Sequence, residues 1–132
     1  MFEPPTIDGL VHLRSEKRAA ATLDRLEQIV RDKGLTVFAR IDFAHDAAAA
    51  GLTLPPMAQL VFGNPRAGTP LLAENPAMGL SLPLRALAWE DDEGHSWLSY
   101  ETPEYIVQRF HLPSSLGANI AGIRALCEAA VA

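Results

Sequence analysis

Three groups of residues have types and spacings that could do chemistry. The first is the run Val61-Phe62-Gly63-Asn64-Pro65-Arg66-Ala67-Gly68-Thr69-Pro70-Leu71-Leu72, an apolar strand end leading through a Gly/Pro loop into an apolar helix start. Gly63 and Gly68 have the glycine spacing of a Walker A loop and Thr69 follows, but the lysine that would reach the outer phosphates is missing. Pro70 also removes a backbone N–H near the helix start, where an anion would need one. A weaker anion site survives, with the Gly68 and Thr69 amides and the Arg66 guanidinium holding one carboxylate or phosphate. The competing reading is that the glycines and prolines only shape a tight strand-to-helix turn.

The second group is Asp42, His45 and Asp46, at the exit of an apolar strand. A carboxylate there could orient an imidazole for acid–base work, with Asp42 or His45 as general base. Asp42 could equally cap the short helix that follows by accepting from the Ala44 or His45 amide. The third group is aromatic and acidic. Trp89, Trp97 and Tyr100 could wall a ligand pocket or form cross-strand core pairs. Glu90, Asp91, Asp92 and Glu93 lack the alternate-ligand spacing and terminal glutamate of a calcium loop, so a solvated hairpin tip is expected. His12, His95 and His111 share no metal-ligand spacing, so no metal is expected, and no cofactor is specified. No serine lies in a nucleophile-elbow context.

The elements that must position these groups follow from periodicity. Met1–Asp8 is an extended lead, and Gly9–Leu13 alternates weakly as a candidate first strand. Ser15 is an N-cap candidate for a helix carrying Ala19, Ala20, Leu23, Leu26, Ile29 and Val30 at helical spacing, stopped by Gly34. Leu35, Val37, Ala39 and Ile41 alternate as the buried face of a strand. A short alanine-rich helix spans His45–Ala50, a strand Met57–Phe62, and a helical turn Pro70–Glu74, which Asn75-Pro76 stops. Leu84–Trp89 and Ser96–Tyr100 make a hairpin around the acidic tip. Pro103 opens a helix through Phe110, and Ser114 and Ser115 cap a last helix with Leu116, Ile120, Ile123, Cys127 and Val131 in one stripe.

Composition sets the bounds. The chain has 132 residues, 48% hydrophobic and 20% charged, enough for one domain with its own core. The net charge is -5, and the basic excess is confined to residues 14–33, with six basic and four acidic side chains against five and ten in residues 40–132. Interleaved charge of this kind marks a solvated helix face, so nucleic acid is not an expected partner. The lone Cys127 is expected to be a buried thiol. No run matches a membrane helix or a signal peptide, and a cytoplasmic, soluble α+β domain is expected.

Four blocks carry a resemblance: Lys33-Gly34-Leu35-Thr36-Val37-Phe38-Ala39-Arg40-Ile41-Asp42, Phe62-Gly63-Asn64-Pro65-Arg66-Ala67-Gly68-Thr69-Pro70-Leu71, Leu82-Pro83-Leu84-Arg85-Ala86-Leu87-Ala88-Trp89-Glu90-Asp91 and Trp97-Leu98-Ser99-Tyr100. With them the chain resembles the DUF302 family from about Ser15 onward, which divides it into a 1–14 lead and a 15–132 domain. The resemblance implies the TT1751-like α+β fold, a single domain whose mostly antiparallel sheet of about five strands has helices packed on one face. It implies no established reaction. Its signature positions would be Asp42, Gly63, Asn64, Pro65, Gly68, Thr69, Pro70, Asn75, Pro76, Pro83, Trp89 and Tyr100. Many members have histidine directly after the aspartate, whereas Phe43 stands here.

The leading expectation is a domain binding a small acidic or polar ligand between the Gly63–Leu72 loop and the Asp42–His45 strand exit. Arg66 with the Gly68 and Thr69 amides would hold the acidic group, Asn64 and Asn75 the polar edges, and Trp89 an apolar wall. One alternative is an enzyme using Asp42 and His45 as an acid–base pair in that cleft. The other is a ligand-free homo-oligomer, most simply a homodimer, with the loop as interface.

Overall fold

The computed structural model describes residues 2–132. Strands β1 (Leu10–Ser15), β2 (Thr36–Asp42), β3 (Met57–Gly63), β4 (Leu84–Glu90) and β5 (Ser96–Glu101) form one sheet in the order β1-β5-β4-β3-β2, with every neighbour antiparallel. The helices are α1 (Ala19–Asp32), α2 (Phe43–Ala49), α3 (Pro65–Glu74), α4 (Pro103–Arg109) and α5 (Ile123–Val131), with 3-10 turns over Pro76–Leu80 and Ser114–Asn119. The expected single α+β domain is therefore observed. The proposed boundary at Ser15 falls on the last residue of β1, an edge strand of the same sheet.

Alternation along the strands explains the layering. Leu60, Phe62, Leu84, Ala86, Ala88, Leu98 and Tyr100 are buried on the face covered by α1 and α5, while Val61, Leu87, Trp89, Trp97 and Ser99 project to the other. From α1, the stripe Ala19, Leu23, Leu26, Ile29 and Val30 fills the space above the sheet. Each fully buried leucine there contributes about 1.5–3 kcal/mol relative to exposure. At the end of α1, Gly34 takes φ 74°, and its N–H and that of Leu35 return to Arg31 and Val30 carbonyls at 2.9 and 3.1 Å. That is a Schellman stop, and it turns the chain directly into β2.

Four local expectations need correction. Ser15 does not cap α1; its hydroxyl lies 2.6 Å from the buried Thr22 hydroxyl, and the helix begins at Ala19. The cap comes from across the fold, because Glu90 at the end of β4 accepts the Ala19 N–H at 3.1 Å and pairs with Arg18 at 3.1 Å. The buried face of β2 is not continuous either. A bulge between Val37 and Ala39 sets Phe38 outward, so Val37 pairs with Phe62 but Ala39 and Ile41 pair with Val61 and Gln59 on the opposite face.

Helix α3 starts at Pro65, five residues before Pro70. Asn64 caps it through the Arg66 N–H at 3.0 Å and Pro65 supplies a preset first position, a start signal stronger than the interior proline. Finally, the last helix is two pieces. A 3-10 turn over Ser114–Asn119 ends at Ile120, whose ψ of 5° leaves the helical course, and α5 restarts at Ile123.

Candidate functional site

A cleft of about 390 Å³ opens where the start of β2, the end of β3 and the start of β4 meet α3. One wall is the first turns of α3, from Asn64 and Pro65 through Gly68, Thr69 and Leu72. Facing it are the Leu82-Pro83-Leu84 approach to β4 and, from the C-terminal 3-10 turn, Asn119 and Ile120. Phe38, set outward by the β2 bulge and 50% exposed, stands on the rim. Asn119 fastens the walls together, its Nδ2 donating to the Ala67 carbonyl at 3.0 Å. The Gly/Pro stretch thus faces a cavity as well as shaping a corner.

Among the residues expected at a site, Asn64, Gly68 and Thr69 line this cleft. The amide part of the anion site is lost, because the Gly68 N–H donates to the Asn64 carbonyl at 2.9 Å and the Arg66 N–H to the Asn64 side chain at 3.0 Å. Ala67 also donates to the Asn64 carbonyl, at 2.9 Å, so the first turn has no free cluster of donors. Arg66 is exposed and outside the lining. No lining residue is charged.

The other candidates lie elsewhere. Asn75 caps the following 3-10 turn, accepting the Ala77 N–H at 3.0 Å and donating to the Phe110 carbonyl at 3.0 Å. Trp89 is at the far end of β4 on the helix-free face, stacked on Trp97 at 6.1 Å and met edge-on by Phe2. Asp42 and His45 are at the opposite end of β2, since Thr36 pairs with Gly63 whereas Asp42 pairs with Ala58. At 3.3 Å per residue that separation is about 20 Å, so one cleft cannot hold both groups. Asp42 accepts the His45 N–H at 2.9 Å as the cap of α2.

The acidic tip is also not the solvated run that its composition suggests. Glu90 and Asp91 are only 6% and 7% exposed. Asp91 accepts the Glu93 and His95 amides at 2.9 and 3.0 Å and Trp97 Nε1 at 2.9 Å, which fixes the β4–β5 turn around Gly94.

Residues 11–130 match the family described as Domain of unknown function DUF302. The chain belongs to the DUF302 family. Its fold matches the crystal structure of an uncharacterized conserved protein DUF302 from Bacillus stearothermophilus with TM-score 0.77 and 21% identity, covering 95% of this chain and 97% of that one. It is also 42% identical over 104 residues to proteins named fluoride-specific ion channel FluC 1 of Brucella suis biovar 1 (strain 1330) and of Brucella abortus biovar 1 (strain 9-941). Those matches cover 79% of this chain but 41% and 38% of the relatives. The DUF302 domain therefore spans about two-fifths of the length of the curated relatives it matches.

Several of the pairings in this DUF302 domain have no signal in the sequence. Gly79, Leu82, Asn119 and Ile120 complete the cleft from segments up to 57 positions after Gly63, and no local pattern links them. On the helix-free face, His12 Nδ1 lies 2.6 Å from Ser99 Oγ, which also accepts Trp89 Nε1 at 2.9 Å. Only the strand register, which sets His12 opposite Ser99, brings that polar seam together. Cys127 is the expected buried thiol, its pKa pushed up to about 12 by desolvation and by the nearby Glu128 charge. The described residues contain no group of three or more His, Cys, Asp or Glu able to hold a metal.

Proposed function

We propose that this DUF302 domain binds a small neutral molecule in the cleft beside α3. The observation that carries this reading is three glycines that serve no backbone need. Gly63, Gly68 and Gly79 line the cleft, and none has a left-handed φ. A Cβ added to them would make only ordinary contacts, 3.7 Å from Pro83 Cβ, 3.7 Å from Leu82 Cδ1 and 3.9 Å from Leu72 Cδ2. Alanine would fit at each, and within α3 it would favour the helix by about 1 kcal/mol over Gly68. Each glycine thus leaves room for a methyl on the wall of a cleft whose whole volume, about 390 Å³, is within the ordinary range for ligand pockets. The uncharged, mainly apolar lining favours a neutral ligand over the acid that Arg66 suggests in the sequence.

Fluoride conduction, the activity named for the Brucella relatives, needs a membrane path. No described helix here is long and apolar enough to cross a membrane. The role we propose for the shared segment in those longer proteins is the same ligand recognition, coupled to the rest of their chains. The test is a thermal-shift screen of neutral metabolites against the wild type and Gly68→Leu. A ligand at a hundred times its Kd adds about 2.7 kcal/mol, raising Tm on the order of 10 °C for a domain of this size. The reading fails if no compound raises Tm, or if Gly68→Leu responds as the wild type does.

A further inference from the structure

We infer that the helix-free face of the sheet recognises an extended, proline-containing segment of a partner protein, and that Phe2–Asp8 of this chain is a displaceable strap seated on that face; neither depends on the cleft. Phe2 meets the Trp89 ring edge-on at 6.1 Å. Trp89 is level with Trp97 and Arg14, whereas Gly9 leads into β1 at Leu10, which pairs with Glu101 at the other end of the sheet. Two strand spacings and four residues of strand put those ends about 16 Å apart, within the reach of seven extended residues, about 24 Å. The segment therefore runs back from β4 across β5 to β1. Phe2 and Pro4 are half-buried while Glu3 and residues 5–8 are exposed, the pattern of an extended chain with one side against a surface. Along its path Ser99 is only 7% exposed, and His12 Nε2 is shielded from solvent without a hydrogen-bond partner among the described residues.

Side-chain contact alone holds the strap. Among the described residues, none of residues 2–6 makes a hydrogen bond to the sheet, and none of residues 2–8 belongs to the buried core. The attachments are at the hinge, where the Leu10 N–H donates to the Ile7 carbonyl at 3.1 Å and the Thr102 N–H to the Gly9 carbonyl at 2.8 Å. The surface beneath selects by ring packing. Both indole N–H groups are committed, Trp89 to Ser99 Oγ and Trp97 to Asp91, each at 2.9 Å, so neither meets a peptide carbonyl. An aromatic floor of this kind favours proline, which brings no N–H to desolvate and has its extended backbone angle set before binding. The partner is thus an extended stretch with an aromatic residue two positions before a proline, the spacing of Phe2 and Pro4. Such a stretch supplied by another protein competes with the strap for the same surface.

The experiment titrates the full ¹⁵N-labelled chain, as wild type and with Phe2→Ser and Pro4→Ser combined, with a peptide of the sequence Phe-Glu-Pro-Pro-Thr-Ile-Asp. Neither substituted residue is part of the core, so the variant should fold as the wild type does. Its emission should shift to the red, because both tryptophans of the chain lie in the covered seam. The peptide should reverse that shift and move the His12, Trp89 and Ser99 amide signals, leaving Gly63 and Gly68 in place. A short tether holds the strap at an effective concentration on the order of 1 mM, so for a Kd of about 0.1 mM the wild type should need about tenfold more peptide. Equal affinity for wild type and variant would show that the lead does not occupy the surface. No movement of the seam signals at millimolar peptide would overturn recognition, and equal binding of a peptide with both prolines replaced by alanine would overturn the partner class. A variant that is dimeric by light scattering and not dissociated by the peptide would assign the face to a second copy of the chain and overturn the proposal. Because the seam and cleft signals are read separately, none of these results bears on the cleft.

Discussion

Burial on its own would raise the pKa of the Asp91 carboxyl, but the hydrogen bonds from Trp97 Nε1 and from the His95 and Glu93 amides outweigh it, and the net shift is downward from 3.8. The folded state therefore prefers the ionised form. That preference stabilises the protein above the unfolded pKa near 3.8, and it is lost as pH falls through the lower folded value. Asp91→Asn would turn an N–H donor toward Trp97 Nε1, so we expect it to lower stability at pH 7 and to narrow its deficit at pH 3. Urea unfolding at the two pH values checks this; an equal deficit at both would show that the charge is irrelevant. Cys127 gives a second residue-scale expectation. With no exposed surface and a thiol pushed up to about 12, it should resist a thiol reagent at pH 8 until the chain unfolds. Labelling of the native protein at the rate of a free thiol would contradict that placement. These two residues mark the limits of sequence reading at this scale. A lone cysteine at an apolar helical position announces its burial, whereas an aspartate within Glu90-Asp91-Asp92-Glu93 gives no sign that two of the four are inside. What decides between them is which N–H groups the turn aims inward, a property of the folded backbone.

At the scale of elements, α1 is capped by a residue more than seventy positions away. Glu90 is 6% exposed and accepts the Ala19 N–H, whereas its ion-pair partner Arg18 is largely exposed, so the cap should outweigh the charge pair. Glu90→Ala should cost about 1–2 kcal/mol, the usual worth of an N-cap, and Glu90→Gln, which keeps an accepting oxygen, less than half of that. Equal losses in the two variants, measured by denaturant unfolding, would assign the effect to the charge. Helix α3 gives the opposite expectation. Gly68→Ala should stabilise the fold by up to about 1 kcal/mol while weakening whatever the cleft binds, because the same methyl favours the helix and fills the space. A destabilised Gly68→Ala protein would mean that the glycine serves the backbone after all. The start of α3 was partly legible, since Asn64 and Pro65 are a recognisable cap and first position. Pro70 drew the expected boundary too late. A proline at the sixth helical position loses its own hydrogen bond and leaves the Arg66 carbonyl unpaired, and at this exposed residue water can satisfy that group.

For the whole molecule, the alternation of apolar residues and the glycines at its turns were enough to anticipate a single α+β domain, because each strand and helix must bury one face, whereas the sheet with helices on one face was implied by the family resemblance. The position of a site could not be obtained in that way. Asp42 and Gly63 border the same two strands, and only the antiparallel pairing of β2 with β3 sends them to opposite ends. Phe38 likewise reaches the cleft through a bulge that the regular alternation of β2 conceals. The architecture that results is uneven in its support. Helix α1 packs across the central strands, whereas α3 rests mainly on the two 3-10 turns, with Leu71 as its one buried side chain and the Asn119–Ala67 hydrogen bond as a tie at its first turn. Segments with little buried apolar contact open at lower free energy than the core. Amide hydrogen exchange should therefore be faster in residues 66–74 than in β3, β4 and α1, and Asn119→Ala should accelerate it further in α3 while leaving the central strands unchanged. A bound cleft ligand should slow exchange in that same segment. Uniform protection of α3 and the sheet would show instead that the cleft wall is as fixed as the core, and that a ligand entering it meets a rigid groove.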